Sequence, residues 1–292
     1  MVAVMADAKS TQPALGILAG GGVMPGRVAA AAAAAGRPVF VVGLEGFADR
    51  VVLASWPHRI LRIGAAGEIL QTLRAHECRD LVLIGAVRRP SLRDLRPDSE
   101  GARLLMRVGR AAFAGDDGLL AAVIRVLGEE GFRVVGAQDV MRESLAPAGV
   151  LGRIAPDAEA MADIRRGITV TNALGRVDVG QGCVVQQGLV LAVEAIEGTD
   201  AMLARCAGLA REGPGGVLVK LVKPGQDRRA DLPTVGLQTV LGAIAAGLRG
   251  IAFEAGGTLL ADREDAIAEA DKAGVFLLGL GPDDLAEGRD ST

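Results

Sequence analysis

Charged residues with the potential for phosphate chemistry are concentrated in two passages of the second half of the chain. In the first, Glu194, Glu197 and Asp200 follow an apolar stretch, and the second runs from Lys220 to Asp231. Carboxylate oxygens are the ligands that Mg²⁺ prefers, and cations offset the negative charge of a transferred phosphoryl group. The two passages therefore suit a magnesium–phosphate site, with a solvated charged loop held by ion pairs as the alternative. The charged members of the second passage are Lys220, Lys223, Asp227, Arg228, Arg229 and Asp231.

A glycine-rich segment near the start of the chain is the second feature that suits phosphate binding. Gly20, Gly21 and Gly22 follow the apolar stretch Leu15–Ala19, and Pro25 stands where a helix can begin. Glycines let the backbone approach a phosphate, and the N–H groups of a helix N-terminus can receive its charge. Turns of this kind also occur for structural reasons alone, so ligand contact and a purely structural turn stand as equal alternatives.

Other predicted strand ends in the first half are expected to border the same crevice. They include Gly64 and the segment Gly85–Arg88. Glu45 follows the second predicted strand, about where a ribose-binding acid lies in dinucleotide-binding folds. The glycine loop and Glu45 together support a second hypothesis, a nucleotide-dependent oxidoreductase, and a non-catalytic nucleotide-sugar-binding protein is a third.

The residue types that are absent or rare in the chain narrow the chemistry. Two histidines, no tyrosine, and the absence of Gly-x-Ser-x-Gly and P-loop motifs argue against a histidine-rich metal centre, a Tyr–Lys reductase, a serine hydrolase and a P-loop enzyme. The net charge of −3 and an aromatic content of 2% do not suit a nucleic-acid binder. The three cysteines are widely spaced in sequence and are expected to be buried free thiols.

Apolar periodicity and turn-forming residues predict the elements that position these groups. Predicted strands are Leu15–Ala19, a run within Pro38–Gly43, Leu81–Gly85, Arg133–Gly136, Leu189–Val193, Val217–Val222, Ile251–Phe253 and Val275–Gly279. Predicted helices are a segment from Pro25 through Val28–Ala35, Ala65–Glu77, Asp117–Glu130, Asp157–Arg166, Thr199–Arg211, Pro233–Leu248 and Asp262–Lys272. Strands that alternate with helices indicate parallel sheets with helices on both faces.

A break in this alternation divides the chain into two predicted domains. Pro147 and Gly149 lie close together within Ser144–Gly152, which predicts a linker. The predicted fold class is α/β with two α/β domains: an N-terminal Rossmann-like parallel sheet over residues 12–146 and a C-terminal α/β domain over residues 150–286.

Six motifs make the chain similar to the LpxI-type UDP-2,3-diacylglucosamine pyrophosphatases, and the resemblance spans nearly the whole chain. The motifs are Leu15–Gly26 (LGILAGGGVMPG), Gly85–Pro90 (GAVRRP), Gly115–Leu120 (GDDGLL), Asp178–Gly188 (DVGQGCVVQQG), Val193–Arg205 (VEAIEGTDAMLAR) and Val219–Gly236 (VKLVKPGQDRRADLPTVG). The motifs of the second half are long and specific, whereas the glycine loop alone would not identify the family.

The resemblance implies hydrolysis of UDP-2,3-diacylglucosamine to UMP and 2,3-diacylglucosamine 1-phosphate (lipid X) in lipid A biosynthesis. It also implies an active site in a cleft between the two domains, with Mg²⁺ or Mn²⁺ as the metal. Asp227 aligns with an aspartate that is critical in this family. Water is expected to attack the phosphorus on the sugar side.

The residues and the resemblance together give three sets of candidate site residues. The candidate catalytic residues are Asp227, Lys220 and Lys223. The candidate metal ligands are Asp227, Glu194 and Asp200. The candidate substrate- or phosphate-binding residues are Gly20, Gly21, Gly22, Gly64, Arg88, Gln187, Thr199, Arg228 and Arg229.

Location and partners follow from the same reasoning. Met1–Ala14 lacks the charged start and apolar core of a signal peptide, and the apolar runs are too short or too interrupted to span a bilayer. We therefore expect a cytoplasmic protein with reversible, peripheral contact with the cytoplasmic face of the inner membrane, where the lipid-bearing UDP-sugar resides. No nucleic-acid partner is expected, and a homodimer is the oligomer considered.

Overall fold

The computed structural model of the protein describes residues 12–88, 95–109, 116–229 and 231–287, and it divides into two compact units. The first unit runs to Met141 and also includes Arg229 and Asp231, and the second comprises Arg142–Arg228 and the chain from Leu232. Residues 1–11 of the N-terminal segment lie outside the described residues, as do residues 89–90 and 115 of two family motifs.

In the described part of the first unit, five parallel strands form the sheet, as the sequence predicts. Their order, β3-β2-β1-β4-β5, is that of a doubly wound Rossmann-like sheet. The order reverses between β1 and β4, which is where such sheets open a crevice at the carboxyl ends of their strands. The strands are β1 (Ala14–Ala19), β2 (Val39–Leu44), β3 (His58–Leu61), β4 (Cys78–Ile84) and β5 (Arg133–Val134).

Helices cover this sheet through small and aliphatic side chains. α1 buries Val28, Ala29 and Ala32, and the short side chains let it approach the strands closely. Trp56, the only tryptophan of the chain, follows α2, and a Cβ placed on Gly26 of α1 would lie 4.0 Å from its indole nitrogen. The helices are α1 (Met24–Ala34), α2 (Arg50–Leu53), α3 (Ala66–Ala75), α4 (Ser99–Val108), α5 (Asp116–Glu129) and α6 (Ala137–Val140).

A buried carboxylate joins three segments of the first unit. Asp80 of β4 accepts hydrogen bonds from Arg37 at 2.5 Å and from Arg133 at 2.7 and 2.8 Å. The hydrogen bond from Arg133 holds the pKa of Asp80 below its ordinary value, with Arg37 acting in the same direction and burial opposing both. This ion-pair group lies near the amino ends of β4 and β5, opposite the end where the glycine loop leaves β1.

The second unit has a mixed six-stranded sheet of order β6-β13-β11-β9-β7-β8. Its centre is parallel, as predicted, but β6, β7 and β8 pair antiparallel with their neighbours. The expectation of a parallel sheet is wrong at these edges: the two-residue turn at Gln187 and Gly188 makes β8 antiparallel to β7, and β6 and β7 run antiparallel to β13 and β9. The strands are β6 (Gly149–Leu151), β7 (Gly182–Gln186), β8 (Leu189–Val193), β9 (Val217–Lys220), β10 (Thr234–Val235), β11 (Gly250–Glu254), β12 (Leu259–Leu260) and β13 (Phe276–Leu280), of which β10 and β12 form a separate parallel pair.

Helices pack on both faces of the second sheet. One face carries a core that includes Met202 and Val240, and the other carries a core that includes Ile164 and Ile168. α7 extends ten residues beyond its predicted end at Arg166, because its buried face continues through Ile168 and Thr171. The helices are α7 (Ala158–Arg176), α8 (Gly198–Cys206), α9 (Leu237–Ala245), α10 (Arg263–Ala273) and α11 (Pro282–Glu287). Within the described residues, no helix is both long and apolar enough to cross a membrane.

Candidate functional site

The polar loop that follows β9 is the main candidate site of the second unit. It carries the half-buried candidate Asp227 between the buried Gln226 and the exposed Arg228. The loop borders a pocket of about 170 Å³. The residues that line this pocket are Asn172, Leu221, Val222, Lys223, Pro224, Gly225, Gln226, Arg228, Glu254 and Leu285.

Local hydrogen bonds close the first part of this loop into a turn. The Lys223 N–H donates to Oε1 of Gln226 at 3.1 Å, and the Gln226 N–H donates to the Lys223 carbonyl at 3.2 Å. Gly225 has a φ of +84°, a conformation that glycine adopts without strain. The turn therefore places Asp227 next to a buried amide side chain that is itself part of the loop's hydrogen bonding.

Lys223 is held by a carboxylate from another segment. Its Nζ lies 2.5 Å from Oδ1 of Asp178, and only 10% of the Lys223 side chain is exposed. Asp178 has a φ of +53°, a left-handed conformation that costs energy for a residue with a Cβ, although aspartate tolerates it better than most. The fold thus accepts local backbone strain at the residue that fixes this candidate catalytic lysine.

Arg228, at the other end of the loop, is paired with Glu254 at the end of β11. Its guanidinium lies 2.6 Å from Oε1 of Glu254, while Oε2 accepts the Val222 N–H at 3.2 Å. Neither Asp178 nor Glu254 stands out in the sequence, since each is a single acidic residue remote from the loop. The sequence reasoning missed both, and the only signal for Asp178 is its place in a family motif.

A second set of polar side chains is centred on Lys220, the last residue of β9. Lys220 Nζ donates to Thr199 Oγ1 at 2.7 Å, and Thr199 Oγ1 donates to Glu194 Oε1 at 2.7 Å. All three side chains are buried, with exposures of 5%, 9% and 6% respectively. Lys220 also donates to the Thr234 carbonyl at 3.3 Å. The structure therefore brings together three predicted site residues from two family motifs.

Glycine at position 182 leaves room for the carboxylate of Glu194. Gly182 of β7 is opposite Lys220 of β9 in the sheet. The Glu194 N–H donates to the Gly182 carbonyl at 2.9 Å. A Cβ on Gly182 would lie 2.9 Å from Glu194 Oε2, a distance shorter than Cβ atoms show to other heavy atoms in proteins. The absence of a side chain at position 182 therefore leaves space for the Glu194 carboxylate.

The three predicted metal ligands differ in their surroundings. Glu194 is buried, Asp227 is half-buried, and Asp200 is exposed in the first turn of α8. Glu194 Oε2 is a buried oxygen with no hydrogen-bond partner in the described part of the chain, so it retains capacity to accept a ligand. Across those same residues, no group of three or more His, Cys, Asp or Glu side chains could hold a metal ion. A metal held here would need its remaining ligands from substrate oxygens and water, which is the usual arrangement for Mg²⁺.

Gln187, a predicted substrate contact, lies in the turn between β7 and β8 with a φ of +54°. Its N–H donates to Oδ2 of the buried Asp163 at 3.0 Å, and the Gly188 N–H donates to Oδ1 at 2.7 Å. Its side-chain amide donates to the Glu212 carbonyl at 3.1 Å. These contacts fix the hairpin, and the substrate contact stays a prediction.

The glycine loop of the first unit lies at the carboxyl ends of β1 and β4. Gly20 N–H donates to the Ile84 carbonyl at 2.9 Å, and Gly21 N–H donates to the Ala86 carbonyl at 2.8 Å. The Ala86 N–H returns a bond to the Gly21 carbonyl at 3.1 Å. A Cβ on Gly20 would lie 2.5 Å from the Gly85 carbonyl oxygen. These glycines allow two backbone segments to meet, and their N–H groups are already used in doing so.

The other candidates of the first unit have varied surroundings. Gly22 has a φ of +86°, and a Cβ there would meet no described atom within 4 Å. At Gly64 the space is filled: a Cβ added to this residue would lie 1.7 Å from the Leu95 carbonyl oxygen. Arg88 is exposed. Phosphate contact by the glycine loop, Gly64 and Arg88 stays a prediction.

The three cysteines are free and buried, which confirms the sequence expectation. Burial raises the pKa of Cys183, which lies in β7 within a family motif, to about 11. Its thiol contacts Thr171 Oγ1 at 3.3 Å. Because the thiolate is the nucleophilic form, this cysteine is unsuited to nucleophilic catalysis near neutral pH.

Comparison with known proteins identifies a family match over almost the whole chain. Residues 14–144 match the model of the LpxI N-terminal domain, and residues 147–278 match that of the LpxI C-terminal domain. The chain is 46% identical over 274 residues to the UDP-2,3-diacylglucosamine pyrophosphatase LpxI of Caulobacter vibrioides (strain ATCC 19089 / CIP 103742 / CB 15), covering 92% of this chain and 98% of that protein. Among solved structures, a GalE-like L-threonine dehydrogenase from Cupriavidus necator (holo form) is 12% identical with a TM-score of 0.32, covering 95% of this chain and 89% of that one. A likeness at that level supports neither a fold nor an activity.

Proposed function

This chain belongs to the LpxI family, and we propose that it hydrolyses the pyrophosphate of UDP-2,3-diacylglucosamine. The products are UMP and 2,3-diacylglucosamine 1-phosphate, and the reaction is a step of lipid A biosynthesis. The observation that carries the proposal is the 46% identity, over nearly the full length of both chains, to a relative of that name.

The loop after β9 supplies groups that this reaction requires. Hydrolysis of a diphosphate needs positive charge near the phosphoryl oxygens and a water molecule held in line with the bond that breaks. Lys223 and Arg228 provide positive charge on either side of Asp227 in the chain. Asp227 provides a carboxylate that can orient the attacking water and accept its proton. Lys220, at the end of β9, adds a buried positive charge that is held by the Thr199 hydroxyl and the Thr234 carbonyl.

A divalent cation, Mg²⁺ or Mn²⁺, is part of the proposal. Asp227 would hold it together with pyrophosphate oxygens, and Oε2 of Glu194, which has no hydrogen-bond partner among the residues that the structure describes, is a second candidate ligand. Asp200 is the third, although its exposed position offers the cation no shielding from water. When bound, the cation neutralises charge on the phosphoryl oxygens. Full activity after exhaustive EDTA treatment would exclude this part of the proposal.

One assay tests the function. Purified protein is incubated with UDP-2,3-diacylglucosamine and Mg²⁺, and UMP is measured over time, with Asp227→Ala as the control variant. Release of UMP by the parent protein alone supports the proposal. Binding without UMP release favours the nucleotide-sugar-binding alternative, and hydride transfer with a nicotinamide cofactor favours the oxidoreductase.

The proposed substrate also bears on where the protein acts. Its acyl chains are anchored in a bilayer, so we propose a cytoplasmic enzyme that contacts the inner membrane peripherally and reversibly. Cell fractionation with salt washes is the test, because a peripheral protein is released by salt without detergent. Protein that leaves the membrane only in detergent contradicts this. A homodimer stays a prediction, which sedimentation analysis of the purified chain can check.

A further inference from the structure

We propose that Glu254 is a positioning residue that sets the place of Asp227, an inference that rests on the proposed function. Glu254 is the last residue of β11, and only 13% of its side chain is exposed. Each of its carboxylate oxygens contacts the loop on a different side of Asp227. It therefore acts on the loop from a rigid strand, without being part of the loop.

The two contacts bracket the candidate catalytic residue in the chain. Val222, five residues before Asp227, donates its N–H to Oε2 at 3.2 Å. Arg228, directly after Asp227, donates to Oε1 at 2.6 Å. A carboxylate accepts two such bonds at once, and its charge strengthens both. One side chain thereby fixes the start and the end of the segment that carries Asp227.

Gly257 helps to hold the carboxylate in this orientation. A Cβ at position 257 would lie 2.7 Å from Glu254 Oε1 and 2.8 Å from Val222 Cγ2. Glycine therefore lets β11, its following turn and the loop approach each other closely. Any larger residue at this position would push the carboxylate away from Arg228.

The contacts of Glu254 differ in kind from those that close the loop itself. The turn from Lys223 to Gln226 is already closed by its own hydrogen bonds. Glu254 connects the residues on either side of this turn to β11, so its loss should displace the loop without unfolding it. A displacement of about 1 Å in a catalytic group can reduce the rate by about a hundredfold.

The experiment compares the parent protein with Glu254→Gln and with Glu269→Gln, a control that removes a partly exposed carboxylate of α10 from the same unit. We expect Glu254→Gln to lower kcat by about tenfold or more, with KM within about threefold and a melting temperature lowered by no more than about 4 °C. The control should match the parent. A Glu254→Gln variant with parental kcat, or with only KM raised, overturns the proposal.

A second measurement does not depend on the substrate. Amide hydrogen exchange at Val222 should be faster in Glu254→Gln and in Gly257→Ala than in the control, because both changes disturb the same acceptor. Parental exchange in both variants overturns the proposal whatever the activities are. Absence of UMP release from the parent protein refutes the proposed function instead, while faster exchange would still support the role of Glu254 in holding the loop.

Discussion

The glycine loop of the first unit and the loop after β9 in the second are both strand-end segments, but they are held in different ways. Backbone groups hold the glycine loop, through the mutual bonds of Gly21 and Ala86. Side chains from elsewhere hold the loop after β9, through Asp178 on Lys223 and Glu254 on Val222 and Arg228. The first arrangement depends on the absence of a Cβ, and the second depends on the presence of particular carboxylates.

This difference shows what each loop can contribute to a reaction. In the glycine loop the Gly20 and Gly21 N–H groups are already bonded, so this loop offers shape and close approach. In the loop after β9, Lys223 and Arg228 are paired with carboxylates from elsewhere, and between them in the chain lies the half-buried carboxylate of Asp227. The candidate catalytic groups Lys223, Asp227 and Arg228 all lie on the second kind of loop. We therefore expect chemistry to be sensitive to side-chain changes there, and folding to be sensitive to added atoms in the glycine loop.

The largest effect is expected from Asp227→Ala. This change removes the carboxylate that can orient water or bind the cation but leaves little packing defect in a half-buried loop position. Activity should fall by at least about a hundredfold, the low end for loss of a general base, while the melting temperature and substrate binding are retained. UMP release and calorimetric binding of the substrate measure this. Turnover near the parental rate would make Asp227 a structural residue and remove the contrast between the two loops.

A smaller effect, on stability, is expected from Gly20→Ala. Its Cβ would lie 2.5 Å from the Gly85 carbonyl oxygen, so the two backbone segments must separate. Overpacking of this kind costs about 1–3 kcal/mol. Gly22→Ala is the matched control, because a Cβ at position 22 would meet no described atom within 4 Å. This variant should lose only the roughly 1 kcal/mol that a positive φ costs a residue with a Cβ. Urea denaturation distinguishes them, and equal losses would show that the close approach does not limit stability.

Acid should destabilise the first unit through Asp80, which lies at the end of the sheet away from the glycine loop. Hydrogen bonds from Arg133 and Arg37 lower the pKa of Asp80 in the folded protein. The stabilisation that ionised Asp80 gives the folded state is therefore complete above the unfolded-state pKa of this carboxyl, about 4. It is lost as the pH falls through the lower folded-state pKa. In Asp80→Asn, stability at pH 6 should fall by about 1–3 kcal/mol, and the dependence on pH below 4 should become flatter. Unfolding in urea at pH 6 and pH 3 measures both, and an unchanged acid dependence would show that other carboxylates dominate.

Local sequence patterns predicted the strands well where a continuous apolar run is buried. The strands Leu15–Ala19 and Ile251–Phe253 appear within a residue of their predicted ends, because continuous apolar runs between turn residues leave few alternatives. Short or partly exposed elements were missed, such as β3, whose sequence HRIL buries only its last residue. A segment with a single buried residue has no apolar run to mark it, and tertiary contacts decide whether it forms a strand.

The candidate site was predictable as a set of residue types but not as a set of contacts. Lys220 and Glu194 are joined through the Thr199 hydroxyl, and a contact among three separate segments is not visible in any one of them. The grouping of Glu194 with Asp200 rested on sequence proximity, yet one side chain is buried and the other is exposed. Glu254 lies more than twenty residues beyond the loop it contacts, so no local pattern could have identified it.

Trp56 gives the first unit an optical signal of its own. The chain has one tryptophan and no tyrosine, and the tryptophan packs near α1 in the first unit. Its emission therefore reports the packing of that unit, whereas circular dichroism reports the helices of both. Denaturation curves that coincide by the two methods would mean that the units unfold together. Curves that separate would assign each midpoint to a unit without any added label.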